Sequence, residues 1–310
     1  MSAIRIEGLE KSFDDNHVLR GVDLDVPQGI VFALLGANGS GKTTTINILS
    51  TLLAPDAGTV RVAGFDVVSQ ADHVRASIGV TGQFAAVDAL LTGEENLRMM
   101  ARLAHLDRKS AERRIAELLE QFDLVEAARR PSSTYSGGMR RRLDLAMSLV
   151  LDPAIVFLDE PTTGVDPRGR AVMWDIVRDL AHRGITIFLT TQQLEEADQL
   201  ASRVAVLDGG TIVADGTPTE LKRRVGTGHL VLELPNPDAL ASAAGLLPGA
   251  TTDTDALALR VAGDTGADGI RNTLVRLNDA GVPVSNVRIV TPDLDDVFFA
   301  LTATTKENHE

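Results

Sequence analysis

No cysteine occurs anywhere in the chain. A disulfide framework and a thiolate metal site are therefore excluded, and the composition fits a cytosolic protein. A basic surplus is missing too: 30 Lys and Arg stand against 43 Asp and Glu, a net charge of −13. A long nucleic-acid surface needs clustered cations, so nucleic acid is set aside as a partner. A nucleotide asks only for local positive groups and stays open. No apolar run approaches the ~18–20 residues that cross a bilayer, so any membrane role is expected to be peripheral. Met1 to Glu10 lacks the apolar stretch of a signal peptide, and none is expected. Internal repeats and low-complexity tracts are also absent. What remains is 310 residues, 44% hydrophobic and 24% charged, an ordinary globular composition long enough for more than one domain.

The rest is arranged around one loop, Gly36-Ala37-Asn38-Gly39-Ser40-Gly41-Lys42-Thr43. It follows Ile30–Leu35, read as a buried strand, and precedes Thr44–Leu52, read as a helix. Strand, glycine-rich loop and helix in that order make a phosphate-binding loop. The glycines let successive N–H groups point into one concavity, and the helix start adds its partial positive charge. Lys42 can reach the β- and γ-phosphates, and the Thr43 hydroxyl can ligate Mg²⁺.

A second apolar run, Ala154–Leu158, ends in Asp159-Glu160. That puts Asp159 near a cation held by Thr43, as a hard oxygen ligand for Mg²⁺. It puts Glu160 near the γ-phosphate, where it can polarise or deprotonate a water. Tyr135-Ser136-Gly137-Gly138-Met139 precedes the apolar helix Leu143–Leu151, a second helix start where Ser136 serves as N-cap or phosphate donor. The triplet Arg140, Arg141 and Arg142 reads as a solvated helix face with an ion pair.

Elsewhere the pattern alternates strands and helices, an α/β arrangement. Ala3–Leu9 and Val18–Val26 read as half-buried strands around a polar turn, Lys11–Asp15. Phe13 in that turn is equally open to base stacking and to packing. Thr59–Val62 and Ser77–Val80 read as short strands, with Gln83 following. Thr92-Gly93-Glu94-Glu95 is a capping box opening Asn96–Leu103, and Ser110 is expected to open Ala111–Phe122. Arg170–Ala181 reads as helix and Ile185–Thr191 as strand, running into Gln192. Gly209-Gly210 marks a hairpin, and Thr217-Pro218-Thr219-Glu220 starts a helix to Arg224. Gly226-Thr227-Gly228 reads as a linker. Beyond it, strands at His229–Leu234, Ala256–Val261 and Val284–Val290 and helices at Asp238–Gly245, Gly266–Ala280 and Pro292–Leu301 suggest a small α+β domain.

The phosphate loop, Gln83, YSGGM, the LDE strand end, GVD and TTQQ occur in an order that resembles an ABC-transporter ATP-binding subunit over about residues 3–224. The resemblance implies a P-loop NTPase fold: a RecA-like core, an antiparallel β subdomain and a helical subdomain at about 84–150. The ATP-binding domain is expected at 1–225 and an accessory α+β domain at 229–305. ATP is expected to be held by Gly36, Ala37, Asn38, Gly39, Ser40, Gly41, Lys42, Thr43 and Thr44. Phe13 would stack on adenine, where the usual residue is Tyr, and Val18 would join the nucleotide site. Mg²⁺ would be held by Thr43, Gln83 and Asp159, with Gln83 also touching the attacking water. Glu160 would be the base. Ser136, Gly137 and Gly138 would bind the γ-phosphate of ATP held by a second copy of the chain, and Asp166 would cross that dimer interface.

Two departures matter. Gln192 stands where a γ-phosphate-sensing His is usual; an amide can donate to phosphate but cannot carry a proton charge. Met139 replaces the usual Gln. With TTQQLEEAD and the ending PDLDDVFFALT, the chain looks like the daunorubicin/doxorubicin-resistance type of ATPase subunit. That type powers export through a separate permease at the cytoplasmic face of the membrane. Export of a lipid, polyketide or glycolipid, or a soluble ATPase acting on ribosomes or DNA, stays open beside drug export. The apolar stretch Phe84–Leu91 is expected to meet the permease.

Overall fold

The computed structural model describes residues 2–82, 86–225, 228–262, 266–290 and 293–298. The chain divides into two compact units, Met1–Pro218 and Thr219–Glu310.

In the first unit a long hairpin, β1 (Ser2–Phe13) and β2 (Asn16–Pro27), is followed by β3 (Val31–Leu35) and α1 (Lys42–Leu49). Next come β4 (Ala57–Val62), β5 (Phe65–Asp66), α2 (Ala71–Ser77) and β6 (Ile78–Thr81). Helices α3 (Gly93–Leu103), α4 (Arg108–Gln121) and α5 (Gly137–Ser148) follow. Then β7 (Ile155–Asp159), α6 (Pro167–His182), β8 (Thr186–Thr191), α7 (Leu194–Leu200), β9 (Arg203–Asp208) and β10 (Thr211–Gly216) complete it.

These strands form two sheets. One is antiparallel, in the order β2-β1-β4-β5. The other has the order β10-β9-β3-β8-β7-β6, parallel apart from the β9–β10 hairpin. Every residue of β3, β7 and β8 is buried, as strands covered on both faces must be. In this centre Phe188 stacks on Phe32 at 5.5 Å between ring centroids and meets Phe157 edge-to-face at 5.8 Å. The parallel register lines up Leu34, Thr190 and Asp159 across three neighbouring strands. The loops leaving β3, β7 and β8 therefore emerge together at the carboxyl edge of the sheet, where α/β folds build their sites.

Several boundaries differ from the sequence reading. Lys11–Phe13 belongs to β1, with Lys11 paired to Leu19 and Phe13 to Asn16, so the turn shrinks to Asp14-Asp15. Helix α4 starts at Arg108, three residues before the expected Ala111: its N-cap is Asp107, whose carboxylate accepts from the Lys109 and Ser110 N–H groups. The capping box on α3 forms as expected, Thr92 and Glu95 each accepting the other's backbone N–H. Helix α5 runs from Gly137, so the arginine triplet lies inside it. Helix α2 had no counterpart in the reading, and Ser77 is its last residue rather than the start of a strand. Among the described residues no helix is long and apolar enough to cross a membrane.

The elements of the second unit are α8 (Pro218–Val225), which straddles the division, β11 (His229–Glu233), α9 (Pro237–Leu246), β12 (Thr251–Asp253), β13 (Ala258–Ala262), α10 (Ala267–Asp279) and β14 (Asn286–Val290). The strands form a four-stranded antiparallel sheet, β12-β13-β11-β14, with α9 and α10 packed on a core of Leu232, Leu240, Ala243, Leu259 and Leu277. Residues 294–298 are helical; the rest of the expected helix to Leu301, and Gly226-Thr227 of the linker, lie outside the described residues.

Candidate active site

The loop between β3 and α1 bends through Gly39 and Gly41 at φ 81° and 109°. At Gly36 a Cβ would sit 2.5 Å from both the Leu207 carbonyl and Ser40 Oγ, so the close approach admits only glycine. Gly41 is the N-cap of α1 and offers no side chain to its N–H groups, and the first turn holds no acidic residue. The hydroxyl of Ser40 is buried and has no hydrogen-bond partner. An orphaned donor beside bare helix N–H groups fits a phosphate.

Lys42 opens α1 and is 5% exposed. Its Nζ donates to the Gly36 and Ala37 carbonyls at 2.9 and 3.0 Å and lies 3.8 Å from Glu160. Burial lowers its pKa, and the charges of Glu160 and Asp159 pull it back up. Thr43 Oγ1 donates to Asp159 Oδ2 at 3.1 Å, and Thr190 Oγ1 donates to Asp159 Oδ1 at 2.5 Å. A hydroxyl and a carboxylate in contact form a hard oxygen set suited to Mg²⁺. Among the described residues no group of three or more His, Asp or Glu could hold a metal ion.

Glu160 is buried and follows β7 with φ 48°, a left-handed conformation uncommon outside glycine. Its N–H donates to the Thr190 carbonyl at 3.0 Å, and Thr163 Oγ1 donates to its Oε2 at 3.2 Å. The carboxylate thus sits against the loop lysine with one oxygen already held.

Ser136 caps α5, accepting from the Met139 N–H at 3.2 Å. Asp166 caps α6, accepting from the Gly169 N–H at 3.2 Å. Ser136, Gly138 and Asp166 line one cavity of about 410 Å³, with Arg142 and Arg168, and no residue of the Gly36–Thr43 loop lines it. Two groups of expected nucleotide residues are therefore assembled separately within one chain.

Comparison with known proteins agrees with this geometry. Residues 19–163 match the ABC transporter family. The daunorubicin/doxorubicin resistance ATP-binding protein DrrA of Streptomyces peucetius is 49% identical over 97% of this chain and 92% of its own length. The chain belongs to the ABC transporter ATP-binding family. It is an ATPase of the ABC type. A Nod factor export ATP-binding protein from Burkholderia pseudomallei is 41% identical over 77% of this chain and 78% of its own length. The crystal structure of the ADP conformation of an ATP-binding cassette superposes with a TM-score of 0.66 at 26% identity, covering 71% of this chain and 92% of that one.

The remaining expected site residues of the ATPase are placed as follows. Phe13 is 46% exposed, and Lys11 Nζ lies over one face of its ring, 5.6 Å from the centroid. The carbonyl of Val18 would lie 3.4 Å from a Cβ at Gly41, which puts this residue beside the loop. Gln192 directly follows β8 and is exposed. Gln83 and Phe84 lie outside the described residues.

The arginine triplet differs most from the sequence reading. Only part of it is a solvated face: Arg140 is exposed and donates to the Ser132 and Ser133 carbonyls, while Arg142 is half-buried, donates to the Phe122 carbonyl and makes the expected ion pair, with Asp123. Arg141 is buried against Asp144 and the backbone around Glu160. Sequence reasoning also passed over Thr190 and Thr163, which orient the two carboxylates, and Glu196. The Glu196 carboxyl is buried on α7, its Oε1 accepting from Thr162 at 2.8 Å and from the Trp174 indole at 3.4 Å. Burial pushes its pKa up. For Thr190 the strand register beside Asp159 was the available signal.

Proposed function

We propose that the protein binds Mg-ATP at the Gly36–Thr43 loop and hydrolyses it to drive a lipophilic drug out of the cell through a separate membrane permease. The carrying observation is the contact set at the sheet edge: Thr43 on Asp159, and Lys42 3.8 Å from Glu160. Lys42, Ser40 and the bare N–H groups of α1 bind the phosphates. Thr43, Asp159 and Gln83 would hold Mg²⁺, which would supply positive charge to the phosphates. Glu160 accepts a proton from the attacking water, and Thr163 fixes the oxygen that does not. Gln83 and Gln192 orient the γ-phosphate and the water. Phe13 and Val18 hold the adenine.

Two copies close around two nucleotides in this reading, because Ser136, Gly138 and Asp166 face a cavity that lacks the phosphate loop. Each copy thereby completes the other's site. The subunit works at the cytoplasmic face of the membrane, with the permease contact at Phe84–Leu91. The likeness to drug-resistance relatives along nearly the whole chain favours a drug cargo. The Nod factor relative, alike over a shorter stretch, supports a second reading in which the cargo is a lipid-linked saccharide.

Vesicles carrying the cognate permease test this directly. ATP-dependent accumulation of an anthracycline, lost with Glu160→Gln, is the expected result. ATP hydrolysis stimulated by a glycolipid but not by the anthracycline would move the cargo to the second reading.

A further inference from the structure

The most densely bonded buried side chain near the carboxylates belongs to none of the expected site residues. Arg141 lies one turn into α5, the helix that Ser136 caps. It is 8% exposed, and Asp144 beside it 3%. Arg141 Nε donates to the Pro161 carbonyl at 2.9 Å, and its Nη2 donates to the Asp159 carbonyl at 3.2 Å. These are the two carbonyls that flank Glu160 in the chain. Its Nη1 donates to the Gly82 carbonyl at 2.7 Å and to Asp144 Oδ2 at 3.3 Å. The other oxygen of Asp144 accepts from the Ala86 N–H at 2.9 Å. One buried ion pair thus grips the backbone on both sides of Glu160, and at Gly82 and Ala86.

We propose that Arg141 and Asp144 form a positioning pair that holds Glu160 in its left-handed backbone conformation and ties it to the helix carrying Ser136. Glu160 at φ 48° is strained, and such a residue persists only where its surroundings over-determine it. Two donors from one rigid guanidinium to its flanking carbonyls supply that determination. Lysine cannot replace this fork, since an ammonium on a flexible stem does not meet Nε and Nη geometry at once. Asp144 supplies the counter-charge that an arginine in this position needs, because a buried cation without a partner is strongly destabilising. Movement of α5 when a second chain engages Ser136 is then transmitted to the base through a single side chain.

The inference rests on the reading of Glu160 as base, and the experiment separates the two. ATP affinity, KM, kcat and melting temperature are measured for wild type, Arg141→Lys, Asp144→Asn and Glu160→Gln. In Arg141→Lys, kcat is expected to fall about tenfold or more, the equivalent of about one or two misplaced hydrogen bonds. ATP affinity should stay within about threefold, because the phosphate loop is untouched. Asp144→Asn keeps the shape and an acceptor for Ala86 but drops the charge. Its kcat should fall by less, again at constant affinity, and it decides the matter if Arg141→Lys does not fold. A merely structural pair would lower the melting temperature and leave kcat of the folded protein unchanged, which overturns the proposal. Wild-type turnover in Glu160→Gln would instead remove the base, and with it the proposal. Loss in Glu160→Gln alongside wild-type kcat in both pair variants would remove only the proposal.

Discussion

Helices α1 and α5 both begin where an anion is expected, yet their starts are built differently. The start of α1 is bare: Gly41 offers no cap, and Ser40 Oγ is left without a partner. The start of α5 is self-satisfied, Ser136 already accepting from Met139. Helix α7 is different again, with Glu195 and Glu196 in its first turn as built-in anions. A bare start presents its N–H groups to an incoming phosphate at no cost in lost bonds. A capped start gives up a bond before it gains one. The contrast suggests an order of events in which the nucleotide settles first on α1, and α5 joins only when a second chain arrives.

Substitutions at the bare start should have the largest effect. Lys42→Ala removes a charge-assisted donor worth ~1.5–3 kcal/mol, so ATP affinity should fall about ten- to a hundredfold and turnover should vanish. Glu160→Gln in the same experiment should bind ATP normally and lose hydrolysis, accumulating a dimer visible by size-exclusion chromatography. Equal losses of affinity in both would erase the distinction between phosphate binder and base.

The capped start comes next. Ser136→Ala should leave ATP affinity of the isolated chain unchanged while hydrolysis drops at least about tenfold. The lost cap should cost ~0.5–2 kcal/mol, or about 2–4 °C in melting temperature per kcal/mol for a unit of this size. Mixing Lys42→Ala with Ser136→Arg chains should restore one intact composite site and part of the activity. A mixture no better than its components would mean that each chain works alone.

Gln192 should matter less than Lys42, because it contributes one or two hydrogen bonds without charge. Gln192→Ala should lower turnover by about ten- to a hundredfold, roughly 1–3 kcal/mol. Gln192→His should stay active and acquire a new dependence between about pH 6 and 7.5 in its rate profile. An unaltered rate in Gln192→Ala would take this strand end out of the site.

The smallest effect belongs to α7. Glu196 has a raised pKa because it is buried, so the folded protein holds its proton more tightly than the unfolded chain. Stability therefore falls as pH rises from about 4.5 through the raised value, and the cost is full above it. Glu196→Gln mimics the protonated form. Its melting temperature relative to wild type should be higher at pH 8 than at pH 5, and calorimetry at the two values reads the sign.

How well each region could be read from sequence follows from how local its determinants are. The phosphate loop was legible because strand, glycines, lysine and threonine are consecutive and their roles are fixed by the backbone. Asp159 and Glu160 were legible because an apolar strand ends on them. Helix α4 was misplaced because Asp107 and Ser110 are both capping residues three apart, and only the N–H groups they meet decide between them. Arg141 was misjudged because its partners, Gly82 and Pro161, are remote in sequence and are backbone carbonyls, which carry no side-chain signal. Strand β12 is three polar residues at a sheet edge, too short for any periodicity.

Trp174 sits on α6, the helix that Asp166 caps, with its indole N–H on the buried Glu196 carboxyl. It is the only tryptophan in the chain. Tryptophan emission from the unmodified protein therefore comes from one indole, joined through Glu196 to Thr162 in the segment that follows Glu160. Stopped-flow fluorescence can time the rearrangement of that segment after nucleotide is added, with no dye and no engineered label.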